Sequence, residues 1–114
     1  MITTDRELLE LAAKAAGIRL EWIGDTSFDC TKLKAGKPTC KGTLWNPLHD
    51  DGDALRLAVA VSIRIEPKGF AKCRVWADST EHQVIMSEKL GDDPYAATRR
   101  AITRAAAAIG KAKP

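Results

Sequence analysis

Apolar residues recur at helical spacing in three stretches of the chain and alternate with polar residues in several others. The first helical stretch opens on Thr4 and Glu7, the spacing of a capping box, in which a threonine oxygen accepts from a first-turn amide while a glutamate reaches back. Behind it Leu8, Leu11, Ala12 and Ala15 form a stripe that Leu9 and Ala16 widen, so a helix is expected to about residue 16. Gly17 stands where a left-handed terminating residue belongs, and Ile18 follows it as a packing partner. "IRLEWI", residues 18–23, then alternates: Ile18, Leu20 and Trp22 on one face, Arg19 and Glu21 on the other. That is the pattern of a half-buried strand.

Residues 24–44 carry no strong period and read as a mobile or partly β excursion. Residues 51–62 read as a second helix with Leu55, Ala58, Val59 and Ser62 inward and Ala54 and Val61 nearby. "SIRIE" returns to alternation, with Ile63 and Ile65 on one face, and "PKGF" marks a turn. In "KCRVWAD", Cys73, Val75 and Ala77 share one side and are expected inside, while Trp76 takes the other side, beneath a helix. "STE" reads as a turn and "HQVIMSEK" as the partner strand of an antiparallel hairpin. The final helix begins with an aspartate cap and Pro94 in the first turn. Tyr95, Ile102, Ala106 and Ile109 share its expected inner face, and Arg100, Arg104 and Lys111 the opposite one. The element order implies an α+β fold, read as a three-layer α/β/α sandwich with a mainly antiparallel sheet and terminal helices, in one domain over residues 1–114.

Composition narrows the setting more than the function. The net charge is +3, from 18 basic and 15 acidic residues, which permits an acidic partner without demanding one. No apolar run approaches the ~20 residues of a membrane span, and "MITTDRELLE" lacks a signal-peptide core. The expected setting is cytoplasmic, with no membrane contact. The three cysteines, Cys30, Cys40 and Cys73, are an odd set without a secretion signal and read as reduced thiols.

The densest chemistry lies in "WNPLHDDGDALRLA", residues 45–58. Its plainest reading is the start of a helix. Asp50 or Asp51 caps first-turn amides, Asp53 adds charge that the helix dipole favours, Gly52 eases the backbone, Pro47 fixes the bend, and Trp45 and Leu48 fold onto the core. A calcium loop needs a different spacing of acids and a closing glutamate. A zinc site from Cys30, Cys40 and His49 lacks the short pairing of ligands. No metal or cofactor is therefore expected. His49, His82, the cysteines and the aspartates fall in no recognised catalytic motif, so no catalytic residue is assigned. Two binding surfaces remain. Trp45, Asn46 and His49, beside Lys32 and Lys34 of the excursion, form a contact surface for a host protein or small molecule. Alternatively Arg99, Arg100, Arg104, Lys111 and Lys113 of the last helix, with Lys32, Lys34, Lys37 and Lys41, meet nucleic-acid phosphates.

"WNPLHDDGDALRLAVAV", "DPYAATRRAITRAAAAIGKA" and the helix–strand word "LLELAAKAAGIRLEW" together resemble a family of small phage and prophage proteins with a phage ABA-sandwich domain. Residues 24–44 and 67–90 match that pattern less distinctly. The resemblance implies a three-layer sandwich and a small accessory protein working in a bacterial host. The family has no settled function and lends no catalytic residues.

Overall fold

The structure, a computed structural model, describes residues 4–31, 42–67 and 73–114. Lys32, Lys34, Lys37, Cys40 and Lys41 lie outside the described residues. Helix α1 spans Asp5–Ala16, with Thr4 as its cap accepting from the Glu7 amide at 3.1 Å. Gly17, at φ 73°, ends it, and the Ile18 amide donates back to the Ala13 carbonyl at 2.9 Å. Glycine is needed there because an L side chain is strained at positive φ.

Strand β1 (Leu20–Ile23) follows, and β2 (Thr26–Asp29) pairs with it antiparallel through a two-residue turn at Gly24–Asp25. Gly24 has φ 60°, and glycine in the first of two turn positions is a hairpin signal. β3 (Thr43–Leu44) pairs with β2 to complete a first sheet, so the described part of the excursion is β structure. Helix α2 covers Asp51–Ala60. β4 (Arg64–Glu66), β5 (Arg74–Ser79) and β6 (Val84–Lys89) form a second antiparallel sheet in that order. Helix α3, Pro94–Ala112, closes the chain, and Asp93 accepts from the Tyr95 and Ala96 amides, each at 3.1 Å. The protein is thus mixed α/β, and the described residues form three helices and two antiparallel three-stranded sheets where a single sheet was expected.

α3 is the hub. It packs on α1, on α2 and on β5 and β6. Its buried residues, Ala101, Ile102, Thr103, Ala105, Ala106, Ala107, Ile109 and Gly110, therefore face several directions rather than forming one stripe. The run of alanines lets α1 approach closely, and at Gly110 the gap closes completely. A Cβ there would overlap the Leu11 carbonyl oxygen and stand 2.9 Å from its carbon and 3.2 Å from the Ala15 nitrogen. The two helices run parallel. Arg100 meets Asp5 at their N-terminal ends. At the other end Lys14 Nζ donates to the Lys113 carbonyl at 2.9 Å, and Lys113 Nζ donates to the Ala15 carbonyl at 3.0 Å. Cationic groups at helix C-termini also suit the helix dipole.

Five sequence expectations are corrected. In α2 the buried residues are Asp53, Ala54, Leu57 and Ala58, whereas Leu55 and Val59 are 60% and 74% exposed. Apolar residues occupy both sides of this ten-residue helix, and contact with α3 selects the Leu57 side. Tyr95, expected inside, is 71% exposed in the first turn of α3. Cys73 precedes β5 and is exposed, and its carbonyl accepts from the Leu90 amide. Val75, Ala77 and Ser79 are the inward residues of β5. Trp76 does take the opposite face, but α3, the helix packed on β5, covers the Val75 side, and Trp76 stays half-buried. His82 lies in the β5–β6 turn rather than in the strand.

Candidate functional site

The aspartate-rich word is built from the backbone outward. Ser27 and Trp45 clasp the first sheet to the approach of α2: the Trp45 amide donates to the Ser27 carbonyl at 3.1 Å, and Ser27 Oγ donates to the Trp45 carbonyl at 2.6 Å. The Asn46 side chain accepts from the Leu48 amide at 3.1 Å, forming an Asx turn at Pro47. Asp50 caps α2, accepting from the Asp53 amide at 2.8 Å. Asp53, buried, accepts from the Asn46 amide at 2.9 Å and from Arg56 at 2.7 Å. Asp51 holds Arg99 of α3 at 2.7 Å, and Arg99 Nε donates to the Leu48 carbonyl at 2.9 Å. All three carboxylates thus serve a helix mouth and the arginines beside it. Among the described residues no group of three or more His, Cys, Asp or Glu side chains could hold a metal ion.

The residues assigned to a contact surface here divide. Trp45 is 5% exposed and belongs to the core, so it is not the aromatic platform expected of it. Its clasp to Ser27 draws the ring inward, a contact between strands that the sequence alone does not display. Asn46 is half-buried and spends its side chain on the turn, whereas His49 is exposed. Arg100 and Arg104 do not join them. Arg99, Arg100 and Arg104 leave α3 in three directions, to Asp51 of α2, to Asp5 of α1 and to Glu88 of β6. Among the described residues these arginines form no single basic stripe.

Instead, a groove of about 460 Å³ opens between α2 and α3, with Leu55, Ile65, Leu90, Tyr95 and Ile102 on its walls and the Arg99–Asp51 pair at its polar part. Leu55 and Tyr95, two of the residues whose faces the periodicity misplaced, are its exposed rims. The sequence signal that points to them is an apolar pair on the wrong side of short helices, visible only once the inner side is known. A groove lined mostly by apolar atoms with few fixed polar groups is the usual form of a small-ligand or peptide site.

Cys30 ends the first sheet fully buried. Burial pushes its thiol up from the ordinary value, and the neighbouring Glu21 carboxylate adds to the rise. A thiol so placed is a poor nucleophile. Among the described residues no helix is long and apolar enough to cross a membrane. No protein-family model, no curated protein and no solved structure matches this chain.

Proposed function

We propose that this chain is a small non-enzymatic accessory protein, of the phage or prophage kind, that binds a host protein or small-molecule partner in the groove between α2 and α3. The three-layer sandwich and the cytoplasmic setting belong to the same proposal. One observation carries it: Leu55 and Tyr95 remain 60% and 71% exposed beside an apolar cleft while the polar atoms of the adjoining helix mouth are already engaged. An apolar surface that the fold leaves open gains free energy when a partner covers it, at roughly 25 cal/mol per Å². Arg99 is held by Leu48 and Asp51 before any partner arrives, so little side-chain ordering opposes its contact with one.

The test is native mass spectrometry of the protein purified from a bacterial host, with Leu55→Asp, Tyr95→Ala and the hairpin-turn control Glu81→Ala compared. The expected result is a co-purifying species present with wild type and Glu81→Ala and depleted at least tenfold in the two groove variants. A species retained equally by all four proteins, or none with any of them, overturns the assignment.

A further inference from the structure

The second sheet has an open face with its own chemistry. Val75, Ala77 and Ser79 of β5 are buried towards α3, so Arg74, Trp76 and Asp78 occupy the other face. The strand register sets Lys89 directly opposite Arg74, and Ser87 opposite Trp76. Arg74 Nε donates to Ser87 Oγ at 3.1 Å, which places these groups together on that face. Two cations directly opposite each other on paired strands repel and destabilise the pair. Six other arginines, Arg19, Arg56, Arg64, Arg99, Arg100 and Arg104, each meet a carboxylate, and Arg6 lies over the Trp22 ring at 4.3 Å. All 15 acidic residues lie in the described segments, and none of them pairs with Arg74 or Lys89. The acids that share the face sit towards β4: Glu66 lies across from Trp76, and Asp78 is held by Arg64 at 3.2 Å.

A half-buried tryptophan on a sheet face, one strand step from two uncompensated cations, is the pairing that reads a chain of anions carrying flat aromatic groups. Bases stack on exposed rings, and lysine and arginine neutralise the adjoining phosphates. The face is a sheet surface rather than an enclosed cleft, which suits a polymer bound by repeated shallow contacts better than a free small molecule. We propose that this face binds single-stranded nucleic acid, with a base stacked on Trp76 and the neighbouring phosphate between Arg74 and Lys89. The site is separate from the α2–α3 groove and does not depend on what occupies that groove.

The test uses the whole protein with a fluorescently labelled oligothymidylate, read by anisotropy across salt concentrations. The expected result is binding at low salt that weakens as salt rises, with log K falling by about 0.7 per log unit of salt for each phosphate neutralised. Trp76→Leu weakens it by about tenfold or more through loss of stacking. Lys89→Glu sets a carboxylate opposite Arg74, so binding is lost while the melting temperature holds or rises. That variant separates lost recognition from lost folding. The proposal is overturned by no binding of wild type at low salt, by unchanged binding in both variants, or by a fall in melting temperature for Lys89→Glu. It is equally overturned if duplex DNA or phosphatidylserine vesicles compete as well as the single strand, since either shows that charge alone is being read.

Discussion

Gly110→Ala tests the central contact of the fold. In an exposed helix the change stabilises by roughly 0.5–1 kcal/mol, because alanine loses less backbone freedom than glycine on folding. Here the added methyl meets backbone, not side chain: it overlaps the Leu11 carbonyl oxygen and stands 2.9 Å from the carbon that carries it. No rotamer change relieves such an overlap, so α1 and α3 must part along the seam where Gly110 meets Leu11 and Ala15. Overpacking of this kind costs about 1–3 kcal/mol. Lost contact along the seam adds to it, leaving a net destabilisation of about 2 kcal/mol and a melting temperature lower by roughly 10 °C. Gly52→Ala is the matched control. Its methyl would meet chiefly the movable Arg56 guanidinium, 3.1 Å away, in the first turn of α2, so it leaves stability unchanged or slightly raised. Urea and thermal melts of the two variants decide the matter. A Gly110→Ala protein as stable as wild type would refute the close approach of α1 and α3.

The three aspartates of the α2 mouth should separate in urea titrations. Asp53→Ala strands the Asn46 amide and costs about 1–3 kcal/mol, Asp50→Ala removes a cap and costs about 1 kcal/mol, and Asp51→Ala costs less than about 1 kcal/mol because its carboxylate is exposed and Arg99 keeps its bond to the Leu48 carbonyl. Equal losses at all three positions would instead indicate a shared ion or ligand. Cys30 should make stability depend on alkaline pH. Its folded thiol lies above the ordinary value of 9.0, so the folded state keeps a proton that the unfolded state releases. Its contribution is fully present below the unfolded value and falls as pH rises through and beyond 9.0. Urea midpoints from pH 7 to 10 should drop in wild type and drop less in Cys30→Ala; parallel curves would remove the thiol as the cause.

Much of this architecture was legible where a local signal had a local cause. Thr4, Gly17 and Asp93 act on amides or backbone angles within a few residues, and each terminates a helix as its spacing implied. The hairpin at Gly24–Asp25 carried a turn signal too, but its second strand, "TSFD", is short and polar and has no apolar face of its own to announce it. Periodicity failed where a helix offered two apolar sides. Leu55 and Val59 satisfy helical spacing as well as Leu57, Ala58 and Val61 do, and only the position of α3 chooses between them. The same limit governs the candidate site. The structural role of the aspartates followed from their place before a helix, whereas the groove depends on which of those faces was left uncovered. Trp45 carried two readings, a core residue behind the helix start and a contact platform, and its burial beside the Ser27 clasp decides for the first.

The paired lysine–carbonyl contacts between α1 and α3 span 98 and 99 positions of the chain. Such a separation gives a largely helical interior the long loop-closure cost that ordinarily belongs to β proteins, and it slows folding accordingly. On the ribosome, α1 is synthesised before α3 and must wait, with its alanine seam bare, until α3 has left the exit tunnel. The hub of this fold is made after every element it packs on, so those elements are synthesised without the surface that organises them.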